Sequence, residues 1–223
     1  MQILYLIHTH PSRSIGGAEN ATLALFEEVQ KQDINKAYLL SADSAIDTPE
    51  SLKQNASTID HRREFTVRTT CDPFSLSNTD PRNLKQNLEQ LAENINPDII
   101  HIHHFMHFGI DSIQFIKNTW PNAKVLLTIH EFLLLCHNQG QIVTRPGNEP
   151  CTTSTPEACS QCYPSINTSR FEQRQNSIKD ALKFCDQLVS PSQFLAARFI
   201  EHGIREDRIS VIENGLPNHI KTK

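Results

Sequence analysis

The amino-acid sequence predicts an α/β protein, a Rossmann-like three-layer sandwich with a mostly parallel sheet of about seven strands. Short apolar segments rich in β-branched residues recur along the chain, and most intervals between them carry helical periodicity. That alternation is typical of βαβ units, which place parallel strands between layers of helices. With 223 residues, the chain is long enough to bury one large core.

Six segments have clear strand character, and residues 64–70 are a weaker seventh. The six are residues 3–7, 37–42, 98–104, 124–130, 187–192 and 209–215. Apolar residues at helical spacing predict crossover helices, with two further helices near the C-terminal end. The predicted helices are residues 17–32, 83–95, 170–185 and 192–202. Pro81 in a first turn, Asn96-Pro97 as a stop and Gly203 after the last helix support these boundaries.

Two stretches show neither the periodicity of a strand nor that of a helix. Residues 43–63 are polar, and we interpret them as a loop between strands. Residues 133–168 are rich in Pro, Thr, Ser, Asn and Cys. A loop of that length within one domain is usually functional or held by cross-links or a metal.

Charge and hydropathy exclude some classes of protein. The formal net charge is −4, and no basic stripe is present that would bind a phosphate backbone, so nucleic acid is not an expected partner. The N-terminal segment has no basic residues and only about five apolar residues before His8, far short of the roughly 20 in a spanning helix. We therefore expect a cytoplasmic protein, with peripheral contact at the inner face of the membrane left open.

Four of the six cysteines lie in the loop 133–168. Cys136, Cys151, Cys159 and Cys162 are separated by 14, 7 and 2 residues, whereas Cys71 and Cys185 lie elsewhere. In a reducing compartment, clustered thiols favour metal over disulfide, and four thiolates complete a tetrahedral structural zinc site. Such a metal would stabilise a loop that buries little apolar surface. Reduced free thiols, or a disulfide formed on oxidation, are the alternatives.

Residues that follow the strands are the candidates for a functional site, because ligands bind at the carboxyl edge of an open parallel sheet. After the first strand, Gly16 and Gly17 open directly into a helix, whose N-terminus attracts phosphate. Their spacing is not that of a dinucleotide fingerprint or a P-loop. The alternative is that the two glycines only form a tight turn.

Histidines follow two other strands. In an extended strand His101 and His103 face one way and His104 the other, so the three are not expected to share one ion. We expect His101 and His103 to be core or hydrogen-bonded residues.

At the rim, we expect His104 and His107 to meet a ligand. His130 and Glu131 end the next strand and could polarise or position a hydroxyl. Capping or loop anchoring is the alternative for Glu131.

Taken in order, six segments resemble the N-terminal domain of the retaining glycosyltransferases of family 4, which have the GT-B fold. They are "ILYLIHTHPSRSIGGAEN", "PDIIHIHH", "VLLTIHEFLLLC", the cysteine loop, "LVSPSQFLAARFIEHGI" and "ISVIENGLP". The resemblance covers nearly the whole chain. In that family two Rossmann-like domains face each other across a cleft; the first binds mainly the acceptor and the second binds the nucleotide-sugar donor.

The resemblance implies roles for individual residues. Gly16 and Gly17 would lie near the donor phosphates and the acceptor, and His130 near the transferred sugar. Glu19 follows the family's "GGAE" pattern but could equally favour the first turn of its helix. Glu131 stands where Asp is commoner in the family. Asn214 and Gly215 would lead toward the interdomain hinge.

The resemblance also implies a missing half. Residues 1–212 correspond to the acceptor-side domain, and residues 213–223 to the start of a linker to a C-terminal donor-binding domain that the sequence does not contain. We therefore expect the acceptor-binding half of a hexosyltransferase that uses a UDP- or GDP-sugar and needs no cofactor, inactive on its own. Its acceptor would be a glycan or glycolipid, in cell-surface polysaccharide synthesis.

Two other classes of function remain open at this point. One is a stand-alone binding module, or a subunit of a split enzyme, whose zinc loop contacts a partner. The other is a Rossmann oxidoreductase, for which Asp43 stands at the end of the second strand, although the glycine spacing is wrong for it.

Overall fold

The computed structural model describes residues 1–14, 16–32, 34–43, 57–59 and 63–215. Within these ranges one sheet has the strand order β3-β4-β2-β1-β5-β6-β7-β8. The strands are β1 (Gln2–Ile7), β2 (Lys36–Asp43), β3 (Ser57–Ile59), β4 (Glu64–Arg68), β5 (Ile99–Ile102), β6 (Lys124–Thr128), β7 (Gln187–Ser190) and β8 (Ile209–Val211). Seven strands pair in parallel, and the edge strand β3 is antiparallel to β4. The predicted fold class is therefore confirmed.

Helices connect the parallel strands. They are α1 (Gly17–Gln30), α2 (Pro81–Ala92), α3 (Ser112–Thr119), α4 (Pro156–Cys162), α5 (Thr168–Leu182) and α6 (Gln193–Glu201). The Asp80 side chain accepts a hydrogen bond from the Asn83 amide at 3.2 Å and caps α2, where Pro81 holds the first position as predicted. Gly203, with φ of +95°, follows α6 in the left-handed conformation expected of a helix-terminating glycine.

Alternating side chains of the central strand β1 build two apolar clusters. Leu4 and Leu6 belong to the larger cluster, which α2, α3, α5 and α6 cover. Ile3, Tyr5 and Ile7 belong to the smaller one, to which α1 contributes Ala18 and Phe26. A strand apolar on both faces is typical of a parallel sheet that is covered by helices on both sides.

Some predicted boundaries were wrong. Strands β5 and β6 end two residues earlier than predicted, at Ile102 and Thr128, and the chain then turns out of the sheet. His103 still donates its amide to the Leu6 carbonyl at 2.8 Å, so it lies at the junction of strand and loop. Predicted extensions of β7 and β8 also fall in loops.

The segment 133–168 is not entirely loop. Helix α4 lies within it, capped by the Thr155 side chain, which accepts from the Ala158 amide at 3.2 Å. The predicted loop 43–63 is also not entirely loop, because β3 lies within it; most of its other residues lie outside the described ranges. No helix in the described ranges is long and apolar enough to cross a membrane.

Candidate active site

The carboxyl edge of the parallel sheet gathers a cluster of imidazoles and carboxylates. His8 follows β1, His104 follows β5, and Glu131 follows β6, while the first turn of α1 contributes Glu19. Because the three strands are parallel neighbours, their carboxyl ends meet at one edge of the sheet. The fold therefore brings together residues that are more than 100 positions apart in the sequence.

His8 lies at the centre of this cluster. Its Nε2 is 3.3 Å from the Glu19 Oε1, and its ring centroid is 4.4 Å from that of His104 and 6.0 Å from that of His107. Burial, followed by the neighbouring imidazoles of His104, His107 and His130, lowers the pKa of His8 to about 3. The ring is therefore neutral near pH 7, and its Nε2 faces the carboxylate of Glu19.

The pair of His104 and Glu131 has a defined proton position. The Met106 amide donates to the His104 Nδ1 at 3.1 Å, so that nitrogen must carry a lone pair. The His104 Nε2 then carries the proton and lies 3.4 Å from the Glu131 Oε1. The His104 Nε2 thus faces one carboxylate oxygen of Glu131, and the Glu131 side chain remains partly exposed.

A second row of histidines lies beneath this cluster. The rings of His101 and His103 are 4.1 Å apart, and the His103 Nδ1 is 3.2 Å from the His130 Nε2. The His101 Nε2 is 2.7 Å from the Thr128 hydroxyl. His101 and His103 are thus hydrogen-bonded interior residues, facing one side as the strand alternation predicted.

Burial is the main cause of the lowered pKa values in this row. It lowers the pKa of His101 and of His130 to about 4, in each case with a smaller contribution from a neighbouring imidazole. The pKa of His103 is lowered well below its ordinary value by burial and by the imidazoles of His101 and His130. All three rings are neutral at pH 7.

The two glycines before α1 serve different purposes. A Cβ on Gly16 would lie 2.5 Å from the Glu19 Oε2, so this glycine makes room for the carboxylate of its own helix. That carboxylate occupies a favourable position at the helix N-terminus. Gly17 has open space, with nothing within 4 Å of its ideal Cβ position. A phosphate that approached α1 would meet the surface at Gly17 rather than Gly16.

The segment that contains the cysteines forms a wall of the site. A cleft of about 580 Å³ runs between His104 and Glu131 on one side and a set of loop residues on the other. The loop contributes His137, Asn138, Gln139, Arg145 and Tyr163. The Arg145 guanidinium lies 4.9 Å from the centroid of the Tyr163 ring, which places a cation beside the cleft. His130 does not line this cleft; it lies deeper, against His103.

The four loop cysteines line one small cavity with His137 and Tyr163. All four are free thiols, and burial is the largest cause that raises the pKa of Cys159, to about 11. Arg174, which is 4% exposed, donates to the Leu133 carbonyl at 2.7 Å and lies near Cys136 and Cys159. In the described part of the chain, no three His, Cys, Asp or Glu side chains are arranged as a set that could hold a metal ion.

Other predicted residues lie apart from the cluster. Asn214 and Gly215 are exposed beyond β8. Asp43 forms an ion pair with Arg13, the two side chains being 2.7 Å apart. The prediction did not include His8, although it follows β1 just as His130 follows β6.

Comparison with known proteins identifies the family. A family model, Glycosyltransferase Family 4, matches residues 15–218. The chain belongs to glycosyltransferase family 4. A search of curated protein sequences gave no significant match.

Solved structures share the fold of this family 4 domain. An Anabaena protein, Alr3699/HepE, in complex with UDP, is 16% identical, with a TM-score of 0.52 over 97% of this chain and 44% of that one. The same Anabaena protein in complex with UDP and glucose gives 15% identity and a TM-score of 0.50, over 97% and 45% of the two chains. The chain thus spans less than half the length of these structures.

Proposed function

We propose that this family 4 domain is the acceptor-side half of a retaining glycosyltransferase that takes its sugar from a UDP- or GDP-sugar. The observation that carries this proposal is the cleft bounded by His104 and Glu131 at the carboxyl edge of the sheet. A UDP-bound Anabaena structure with the same fold supports a nucleotide-sugar donor. The half-length match supports a second domain that would complete the donor site.

The geometry supports one role for the cleft and another for the N-terminus of α1. The Glu131 carboxylate, oriented by His104, can accept a hydrogen bond from an acceptor hydroxyl and hold it for reaction. Open space at Gly17 leaves the N-terminus of α1 accessible to an anionic group such as a donor phosphate. His130 would lie on the sugar side. Positioning and stabilisation of the departing phosphate would then supply the rate enhancement, without a catalytic metal.

We propose a glycan or glycolipid as the acceptor. The loop wall of the cleft carries Tyr163, whose ring suits a sugar face, and Arg145, whose charge suits an anionic group of the acceptor. We propose that this domain acts in cell-surface polysaccharide synthesis, on the inner side of the membrane.

We also propose a structural zinc at Cys136, Cys151, Cys159 and Cys162. Their shared cavity supports it, and the buried cation of Arg174 would balance the negative charge of four thiolates. Binding requires the four side chains to turn toward a common point.

The experiment combines binding and turnover. Residues 1–223, labelled with ¹⁵N, are titrated with UDP-glucose, UDP-galactose, GDP-mannose and acceptor oligosaccharides, and amide shifts are mapped. We expect shifts at Gly17, His104 and Glu131, and no sugar transfer to a membrane extract by this chain alone. Glu131→Gln should weaken acceptor binding about tenfold, whereas Glu172→Gln, at an exposed position on α5, should not.

Two outcomes would contradict the proposal. Robust transfer by residues 1–223 would show that the chain is not half of an enzyme. Absence of any shift at the cleft with every sugar nucleotide and every oligosaccharide would show that the cleft is not the substrate site.

A further inference from the structure

The contact between His103 and His130 limits what His130 can present to a ligand. The His103 Nδ1 lies 3.2 Å from the His130 Nε2, and His103 is 2% exposed. Since its Nε2 is engaged with the interior, His130 has only Nδ1 left for a ligand. No group in the described part of the chain forms a hydrogen bond with that nitrogen, and the ring is only half-buried.

The other ring nitrogen of His103 indicates which partner carries the shared proton. If His130 donated, the proton of His103 would lie on its Nε2, which is buried and has no hydrogen-bond partner among the described residues. A buried N–H without an acceptor is less well tolerated than a buried lone pair without a donor. The His103 Nδ1–H is therefore the donor, and the His130 Nε2 is the acceptor.

The surroundings of the pair keep both rings neutral. The rings of His101 and Tyr5 pack beside His103, at centroid distances of 4.1 and 6.0 Å. Burial lowers the pKa of His103 well below its ordinary value and that of His130 to about 4. A neutral imidazole has one proton, so the state of one His130 nitrogen fixes the state of the other.

We propose that His103 is a positioning residue that holds His130 in the Nδ1-protonated tautomer, so that His130 presents a hydrogen-bond donor to its ligand. The acceptor would be a sugar hydroxyl or phosphate oxygen, and this identity rests on the proposed function. The tautomer of His130 does not depend on the proposed function. His130 would then act by donating a hydrogen bond and would not act as a base through Nε2.

The test is a direct measurement of the tautomer. ¹⁵N shifts of the histidine rings in residues 1–223 at pH 7 distinguish an N–H nitrogen from one with a lone pair, and a His130→Gln variant assigns the signals. We expect a protonated Nδ1 and an unprotonated Nε2 in His130. His103→Leu should shift His130 toward the Nε2-protonated form, which a free imidazole favours. His103→Asn keeps an amide donor near the Nδ1 position and should preserve the wild-type tautomer.

The possible outcomes are distinct. Protonation of the His130 Nε2 in the wild-type chain would overturn the proposal even if His103→Leu failed to fold. An unchanged His130 signal in a folded His103→Leu variant would also overturn it. A matched His202→Gln variant, which removes the histidine directly after α6 and outside the site, should leave His130 unaltered. If the tautomer is as expected but none of the sugar nucleotides and oligosaccharides perturbs the cleft or His130, the proposed function fails while the positioning role stands.

Discussion

At the scale of single residues, Asn78 holds the loop that carries His104 and His107. Its side-chain amide donates to the Thr69 hydroxyl at 2.6 Å and to the Phe108 carbonyl at 2.7 Å, and its Oδ1 accepts from the Asp80 amide at 2.8 Å. Asn78 is 8% exposed, so water cannot readily replace these partners.

Asn78→Ala should lower the free energy of unfolding by about 2–3 kcal/mol, because it leaves buried donors and acceptors without partners. Urea unfolding followed by circular dichroism measures the change. The control is Asn94→Ala, which removes an exposed amide with one 3.2 Å hydrogen bond and should cost less than about 0.5 kcal/mol. Equal losses in the two variants would show that the Asn78 hydrogen bonds do not brace this loop.

Residue-level predictions succeeded where a periodic pattern constrained them. The alternation of a strand predicted that His101 and His103 share one face, and their rings are in fact 4.1 Å apart. No pattern marks His8, whose importance comes from three contacts with distant segments. Local sequence cannot show such contacts, although the position directly after a predicted strand was a usable signal.

At the scale of structural elements, the segment that follows β6 packs directly against the site through Gly140. This residue has φ of +71°, and a Cβ on it would lie 2.7 Å from the Glu131 Oε2 and 2.9 Å from the Leu133 amide nitrogen. Gly203 has a similar backbone conformation, with φ of +95°, but nothing lies within 4 Å of its ideal Cβ position.

Comparison of Gly140→Ala with Gly203→Ala should therefore separate backbone strain from packing. Both variants force a side chain into the left-handed region, which costs about 1 kcal/mol. Gly140→Ala should lose about 1–3 kcal/mol more, because the added methyl group collides with the main chain at Leu133. It should also move Glu131, which amide shifts would detect. Equal losses would show that this segment does not pack tightly on Glu131.

The proposed zinc belongs to the same element. We expect purified protein to contain about one zinc ion per chain, because four thiolates fill a tetrahedral site. Cys159→Ser and Cys162→Ser should lose the metal, whereas Cys71→Ser, outside the loop, should retain it. Chelation should increase proteolysis within residues 133–168. Protein without metal, in which chelation leaves the protease sensitivity unchanged, would exclude a structural zinc.

Short helices were the elements that the sequence did not predict. Helix α3 has eight residues, so the apolar spacing of Ile113 and Ile116 covers too few turns to separate a helix from a strand. Helix α4 carries Thr155 as its cap and Pro156 in its first turn, but it contains no buried residue. The capping residue and the proline of a helix start were therefore present, but the apolar face on which the helix predictions relied was absent.

At the scale of the whole molecule, the parallel sheet was predictable because most of its strands contain short apolar runs. The strand order was not predictable from such runs, since it depends on which crossovers pack against which face. That order places β1, β5 and β6 side by side and so gathers His8, His104 and Glu131. The candidate site is therefore produced by the topology, which brings together residues from separate segments of the sequence.

The histidine cluster makes the stability of the whole domain depend on pH. Burial lowers the pKa of His8 to about 3 and that of His101 and His130 to about 4, against about 6.5 in an unfolded chain. Between about pH 6.5 and 4, the unfolded chain binds more protons than the folded one, so acid favours unfolding. The stabilisation is complete above about pH 6.5 and is lost as the pH falls toward the folded-state values.

We therefore expect the free energy of unfolding in urea to fall from pH 7 to pH 5, with a slope above about 1.4 kcal/mol per pH unit at the lower end, since more than one proton is taken up. His101→Leu removes one of these groups. It should lower the number of protons taken up on unfolding by about one and reduce the slope accordingly, whatever it does to the stability at pH 7. A stability that stays constant or rises from pH 7 to pH 5 would mean that these imidazoles bind protons in the folded state. The neutral hydrogen bond between His103 and His130 would then not persist, because a protonated ring has no lone pair to accept it.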